Sequence, residues 1–176
     1  MRPARLGVVL VAVGLLAACG SPDDSPVPTT AAAPWACAGV PQDGVDLILG
    51  ASATATTHGR WSDESGSFTC TAKHEGSGTV LVIQDPVGGF IGGVDAKSQL
   101  EAISREPDAE PIDADATGSG YVVGSTKPAA AWVCGERVLS VELINVDTEG
   151  RDGRDDATNL LVSMLPWACD GEAVPS

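Results

Sequence analysis

Residues 129–146 read AAAWVCGERVLSVELINV, and they predict more of the architecture than any other part of the chain. Ala129–Cys134 and Arg137–Val146 are two runs rich in apolar and β-branched residues, as strands are. The Gly135-Glu136 pair between them fits a two-residue type II′ turn, which takes glycine at its first position. The stretch therefore predicts a hairpin within an antiparallel sheet.

Three more segments towards the N-terminus predict strands of the same sheet. Ser67–Ala72 alternates between apolar and polar residues, and Thr79–Gln84 is a β-branched run that suits it as a partner. Residues 73–78 would form the loop between them. Tyr121–Val123 is a short strand candidate before the hairpin.

Amphipathic segments predict three helices. The first runs from Asp43, as its N-cap, to Gly50, as its C-terminal stop. The second, over residues 95–105, and the third, over residues 155–165, place apolar residues three to four positions apart, and Pro166 would end the third. The order of helices and strands predicts an α+β domain, an antiparallel sheet with helices packed on it.

The N-terminus has the pattern of an export signal. A short basic start precedes the apolar run Leu6–Leu16, which is too short to cross a bilayer core of about 30 Å. Leu16-Ala17-Ala18-Cys19 then matches the bacterial lipobox. Residues 1–18 thus predict a lipoprotein signal peptide, whose removal leaves Cys19 as an N-terminus carrying diacylglycerol. We expect a protein anchored by this lipid to the cell membrane, on its extracytoplasmic side.

The next segment predicts a linker. Gly20–Pro34 reads GSPDDSPVPTTAAAP, with four prolines and no aromatic residue. It offers too little apolar surface to fold, and proline cannot donate a hydrogen bond to a sheet. We expect residues 19–34 to be the lipidated cysteine and a disordered Pro/Thr/Ala tether. Residues 35–170 would be a single domain, and residues 171–176 a disordered tail.

The other four cysteines, Cys37, Cys70, Cys134 and Cys169, predict two disulfides, because an even number in an exported chain implies a disulfide framework. Their wide spacing does not fit the close cysteine pairs of a zinc site. We favour Cys37–Cys70 with Cys134–Cys169, since each bond would fasten a terminal segment to the sheet. The alternative, Cys37–Cys169 with Cys70–Cys134, would join the two copies of the tetrapeptide Pro-Trp-Ala-Cys.

The charge balance excludes some partners. The chain has 24 acidic and 10 basic residues and a formal net charge of −14. Nucleic-acid binding requires clustered Lys and Arg, and so does attachment to anionic lipid through a basic patch. We expect no nucleic-acid partner, and contact with the membrane only through the lipid on Cys19.

Candidate catalytic residues are few. The chain lacks the common sequence motifs of hydrolases, zinc proteases and phosphate-binding loops. His58 and His74 are the side chains that titrate near neutral pH. Their predicted places, a loop and a hairpin tip, are typical of solvated histidines, although His74 with Ser65 or Ser67 and an acid could form a triad. We expect no catalytic residue and no cofactor.

Asp113 and Asp115 are the candidate metal ligands. The segment 113–118 fits the start of an EF-hand loop only if Thr117 replaces the third ligand, and Gly124 stands where that loop has its bidentate glutamate. An oxygen cluster outside the EF-hand pattern could still bind calcium at extracellular concentrations. A solvated acidic loop is the favoured interpretation. The charged residues of segment 147–156 predict caps and local ion pairs at the start of the last helix.

These features together resemble the small secreted lipoproteins of actinobacteria that are classed as domains of unknown function. The shared features are the lipobox, the tether, an early cysteine before a short helix, a second cysteine on the first strand and a closing amphipathic helix. The resemblance covers roughly Cys37–Cys169. It implies an antiparallel α+β sandwich similar to the photosystem II extrinsic subunit and the Ran-binding Mog protein, and no active site. The second cysteine pair departs from the pattern.

We therefore expect a monomeric, non-enzymatic binding or scaffold module whose partner is an envelope protein, a lipid or a glycan. Its expected contact surface is the sheet face that the helices leave uncovered, or the loop Gly88–Gly93 with Phe90 and Ile91. One alternative is a carrier of a small apolar ligand, which needs a cavity of about 300–1,000 Å³. The other is an extracellular hydrolase.

Overall fold

Strands and helices alternate along the chain in the computed structural model, which describes residues 25–61, 66–86, 96–124, 126–147 and 150–176. Within these ranges the elements in chain order are β1 (Trp35–Cys37), β2 (Val40–Pro41), α1 (Gln42–Leu49), β3 (Thr54–Gly59), β4 (Phe68–His74), β5 (Gly78–Pro86), α2 (Ala96–Ile103), β6 (Glu110–Pro111), β7 (Ser119–Val123), β8 (Ala129–Cys134), β9 (Arg137–Ile144) and α3 (Gly153–Ala168). Seven strands form one antiparallel sheet in the order β3-β4-β5-β9-β8-β7-β6, and β1 pairs with β2 beside it. The predicted α+β class is confirmed.

The hairpin predicted from residues 129–146 is present. Strand β8 has the predicted bounds, and β9 ends at Ile144, two residues earlier than expected. Gly135 adopts a φ of 58°, the positive value that the first position of a type II′ turn requires. Cys134 and Arg137 face each other across the turn and fix the register of the two strands.

The sequence analysis missed two strands of the large sheet. Strand β3, with the sequence TATTHG, has no apolar alternation because it is an exposed edge, and its pairing with β4 alone holds it in place. Strand β6, at the opposite edge of the sheet, has only two residues. One of them is Pro111, which has no N–H group to donate to a further strand and so protects this edge from pairing. Strands β4 and β5 are both longer than predicted, and only three residues connect them.

Helix α2 is shorter than the predicted 95–105, α3 begins two residues before the predicted 155, and two residues predicted at helix ends lie elsewhere. Asp43 is not the N-cap of α1, because Pro41 holds that position and Asp43 lies in the first turn, whereas Gly50 ends the helix with a φ of 64° as expected. Pro166 does not end α3, which continues to Ala168. A proline in the last turn removes only one N–H group of the helix, and the next turn closes normally, with Cys169 N donating to Leu165 O at 2.8 Å.

The core lies on the side of the sheet that carries α1 and α3, which we call the inner face. Its large buried side chains come from alternate positions of the central strands and from one stripe of α3: Phe68, Val80, Val82, Trp132, Leu139, Val141, Leu143, Leu160, Leu161 and Met164. Full burial of one such side chain contributes about 1.5–3 kcal/mol to the free energy of folding. Helix α2 covers part of the other side, the outer face, where Leu100 packs against Val133 and Val138.

Residues 25–34, which we call the docked segment, lie against the inner-face helices. Val27 is only 2% exposed and belongs to the core. Its Cγ1 atom lies 3.3 Å from where a Cβ on Gly44 would stand, so a glycine at that position of α1 makes room for it. Arg151 Nη1 donates to Ser25 O at 3.0 Å. The prediction of a disordered tether is therefore wrong for this segment, and the rest of the predicted tether lies outside the described residues.

Two disulfides fasten the domain. Cys37 bonds to Cys70 and Cys134 bonds to Cys169, with Cα atoms 6.0 Å and 5.6 Å apart. The favoured pairing is confirmed, and the alternative pairing is wrong. The two copies of Pro-Trp-Ala-Cys nevertheless meet, because Trp35 and Trp167 pack edge to face with their ring centroids 6.0 Å apart.

Charged residues at the start of α3 act as predicted, and one pair is more deeply buried than expected. The Asp152 side chain caps the helix by accepting from Arg154 N and Asp155 N. Arg151 forms a two-point ion pair with Asp156, with Nη2 2.7 Å from Oδ1 and Nε 2.9 Å from Oδ2. Asp156 is 4% exposed, so removal of either partner would leave a buried charge unpaired.

The C-terminal tail contains neither helix nor strand, but it contacts the domain. Glu172 N donates to Pro166 O at 3.0 Å, and Val174 is half-buried. Residues 171–176 thus lie against the end of α3 rather than apart from it, which differs from the disordered tail that we expected.

We predict that Val27→Ala lowers the free energy of unfolding by about 2 kcal/mol, because it removes two buried methyl groups and leaves a cavity beside Gly44. Urea unfolding of the soluble chain that begins at Gly20 measures the change. The matched control is Thr29→Ala, an exposed position in the same segment, for which we expect less than about 0.5 kcal/mol. Equal stability of the Val27→Ala and unsubstituted chains would show that the segment is not docked.

Candidate functional site

Three consecutive alanines, Ala129–Ala131, create space on the outer face of the sheet. The side chains of Ala129 and Ala131 point to that face and end at Cβ, whereas neighbouring strands carry larger residues. Helix α2 crosses above them and rests on Val133 and Val138 through Leu100. The helix therefore does not close onto the alanines, and a cavity of about 190 Å³ remains between α2 and strands β7, β8 and β9.

The walls of this cavity, which we call the α2 pocket, are almost entirely apolar. They are formed by Ala102, Ile103, Tyr121, Val123, Ala129, Ala130, Ala131, Val138, Ser140 and Glu142. A preformed apolar pocket with a few polar groups is the usual form of a small-molecule site. Among the described residues, the lining includes no histidine, cysteine or lysine.

Glu142 is the acidic residue among those that line the α2 pocket. It is half-buried on β9, between Leu81 of β5 and Ala129 of β8 in the register of the sheet. It forms no hydrogen bond or ion pair with any residue that the structure describes. Ser140, two positions earlier on the same strand and face, is 7% exposed.

The two histidines lie apart from each other and from Ser67. His58 is exposed on edge strand β3, opposite Thr69. His74 ends β4, with Nδ1 3.0 Å from Ser52 O. Ser67 precedes the start of the same strand, roughly 20 Å away at the rise of an extended chain. The triad of His74 with Ser67 is therefore wrong, and Ser65 lies outside the described residues.

The candidate metal ligands Asp113 and Asp115 are both exposed. Their segment is attached to the end of α3, where Asp170 Oδ1 accepts from Thr117 N at 3.0 Å. Among the residues that the structure describes, no three His, Cys, Asp or Glu side chains group as a metal site would require.

An open groove of about 590 Å³ lies beside the end of α1, next to the loop that precedes α3. Its lining includes Asp43, Asp46, Asp147 and Arg151. Asp46 Oδ1 already accepts from Ala53 N at 2.8 Å and from Gln42 Nε2 at 2.6 Å. This carboxylate therefore holds the turn after α1 in place.

A cluster of aromatic residues occupies the end of the sheet opposite the start of α3. Trp61 stacks on Phe68 with ring centroids 4.3 Å apart, and Trp61 Nε1 donates to Ala38 O. Nearby, the polar side-chain atoms of Gln84, Arg137 and Trp167 include buried ones without a hydrogen-bond partner. The sequence analysis did not identify this cluster, since its members are far apart in sequence.

The sequence analysis expected a contact surface either on the uncovered sheet face or on the loop Gly88–Gly93, and the structure describes only the first of these two regions. The outer face of β3, β4 and β5 carries alternating threonines with half-buried Leu81 and Ile83, and α2 lies over β7 and β8 instead. None of the helices that the structure describes covers this part of the outer face. The loop Gly88–Gly93, with Phe90 and Ile91, lies outside the described residues.

No protein-family model, curated protein or solved structure matches the chain. The resemblance to actinobacterial lipoproteins and to the photosystem II extrinsic subunit and Mog fold stays a prediction. Within the described ranges, none of the helices has the length and apolar character needed to cross a membrane.

Proposed function

We propose that this chain is a lipid-anchored, non-enzymatic binding module that holds a small, mainly apolar molecule in the α2 pocket. The observation that carries the proposal is the preformed apolar cavity between α2 and the alanines of β8. Apolar walls that nothing covers lack contact partners on one side. A ligand that matches the size of the cavity would supply those contacts.

The size of the α2 pocket indicates the size of the ligand. Its volume of about 190 Å³ is below the roughly 300–1,000 Å³ that drug-sized ligands need. A cavity of about 150 Å³ accommodates benzene. A molecule the size of one substituted ring fits, and a carrier of whole lipids is not supported.

The lipobox supports the anchoring half of the proposal. Five residues lie between Cys19 and Ser25, where the docked segment begins, so the two Cα atoms are at most roughly 20 Å apart. Ser25 lies beside Arg151, which precedes α3. We therefore propose that this end of the domain is the one nearest the membrane, with the aromatic cluster at the distant end.

The anchoring proposal predicts that Cys19→Ala releases the protein from the membrane fraction or leaves it unprocessed, because no thiol remains to accept diacylglycerol. Fractionation of the producing cells and the intact mass of the product measure both. Ser21→Ala is the matched control, because it changes a residue next to the lipobox and keeps both Cys19 and the disulfides. A Cys19→Ala protein that stayed on the membrane at its mature mass would contradict the proposal.

The binding proposal predicts that benzyl alcohol occupies the α2 pocket of the soluble chain. NMR titration should shift the signals of Ile103, Val138 and Ala131, which line the pocket. Ala131→Leu should abolish the shifts by filling the space, and it should raise the stability by about 1 kcal/mol through added apolar burial. Shifts that persisted in Ala131→Leu, or that were absent from the unsubstituted chain, would count against the pocket as the binding site.

A further inference from the structure

Arg137 indicates a second binding site, at the end of the sheet that carries the aromatic cluster. Its Nη1 and Nη2 atoms are buried and have no hydrogen-bond partner among the described residues, and the same is true of Gln84 Oε1. We infer that Arg137 and Gln84 together bind a small carboxylate that also carries a hydrogen-bond donor, as a 2-hydroxy acid does. This inference goes beyond the proposed function, because the site lies on the inner face of the sheet and the α2 pocket lies on the outer face.

The register of the sheet places the two side chains next to each other on the inner face. Gln84 is 3% exposed and lies opposite Leu139 of β9, whose side chain belongs to the core. Arg137 precedes Leu139 by two residues, so it shares that face and is the diagonal neighbour of Gln84. Diagonal neighbours of an antiparallel pair are roughly 7–8 Å apart, a distance that two long side chains and one small molecule between them can span.

The guanidinium group of Arg137 lacks a counter-charge among the described residues. A guanidinium group in a protein stays protonated, and burial of a charge without a partner is strongly unfavourable. None of the ion pairs that join described residues includes Arg137. Its neighbour Glu136 is exposed at the turn, and Asp85 of β5 lies opposite Val138 and therefore on the outer face.

The described acidic residues after α3 do not supply this charge either. Asp170 Oδ1 accepts from Thr117 N at 3.0 Å, and Glu172 is exposed. Arg137 does not donate to Gln84 Oε1, and such a bond would in any case leave the charge of the arginine unpaired. A ligand that places a carboxylate against Arg137 and a donor against Gln84 would satisfy both buried groups at once.

The chemistry of the two side chains determines the class of ligand. The guanidinium atoms Nη1 and Nη2 present parallel N–H groups, the geometry that binds both oxygens of a carboxylate. The amide oxygen of Gln84 only accepts hydrogen bonds, so the part of the ligand next to it must donate one. A hydroxyl group on the carbon next to the carboxylate meets both requirements.

The surroundings of the two side chains are apolar. Phe68 lies opposite Gln84 on β4, and Trp61 stacks on its ring. Cys134, a disulfide cysteine, lies opposite Arg137 on β8. Charge-assisted hydrogen bonds are stronger in such surroundings than in water, so an anion is bound more tightly here than at an exposed arginine.

The experiment measures the thermal unfolding of the soluble chain 20–176, which contains every residue that the structure describes. It compares sodium glycolate, sodium acetate and sodium chloride at equal concentration and pH 7. A ligand that binds only the folded chain raises the midpoint of unfolding, and we expect glycolate at about 100 mM to raise it by about 4 °C relative to chloride, and acetate to raise it less. NMR titration of the Gln84 side-chain amide should give a dissociation constant about fivefold lower for glycolate than for acetate.

Two variants and a control locate the effect. Arg137→Met removes the buried charge, so the effect of glycolate should disappear, and the midpoint in chloride should be at least as high as that of the unsubstituted chain. Gln84→Met removes the acceptor, so glycolate should stabilise this variant no more than acetate does. Arg105→Met, at a side chain that is 75% exposed, should keep the full effect of glycolate. Circular dichroism of each variant confirms that the fold is unchanged.

The inference is wrong if glycolate and acetate act like chloride, or if the effect of glycolate persists in Arg137→Met. It is also wrong if Arg137→Met lowers the midpoint in chloride and glycolate stabilises neither chain, because the chain itself then supplies the counter-charge. A preference for glycolate over acetate that persists in Gln84→Met would contradict the role of Gln84. The NMR signals of Ile103 in the α2 pocket should not shift with glycolate, so the two sites are tested separately.

Discussion

Strand β9 must be covered on both of its faces, and the rest of the structure depends on this constraint. Its four consecutive residues Val138–Val141 are all buried, which a strand with one solvated face does not show. Leu139 and Val141 contact the core beneath α3, and Val138 contacts Leu100 of α2. Helix α2 therefore has to cross the outer face, although the alanines of β8 prevent it from packing closely there.

The inner face is closed by elements from both ends of the chain. The Cys37–Cys70 bond holds the segment before α1 to β4, and the Cys134–Cys169 bond holds the end of α3 to β8. Val27 extends this closure to the docked segment. The disulfides thus fasten the inner face, whereas on the outer face the described residues place the short helix α2 above an apolar space.

The sequence predicts the elements whose signals are local. The hairpin 129–144 follows from its turn residues, and both disulfides follow from the even number of cysteines and from the expectation that each bond fastens a terminal segment to the sheet. Three features depend on tertiary contacts instead. Strand β3 pairs with the edge of β4 despite its polar sequence. Val27 docks because Gly44 leaves room for its side chain. The α2 pocket is present because the contact of Leu100 with Val133 and Val138 keeps α2 away from the alanines of β8. The periodic pattern of apolar residues in the sequence does not predict any of these three tertiary contacts.

The most direct test of a preformed apolar pocket is a crystal of the soluble chain derivatised with xenon under pressure. Xenon enters dry apolar cavities and avoids polar ones. We expect a xenon peak between α2 and the outer face of β8, within contact of Ala131 and Ile103, and no peak there in Ala131→Leu. A helix α2 packed directly onto the alanines, with no xenon beneath it, would contradict the account.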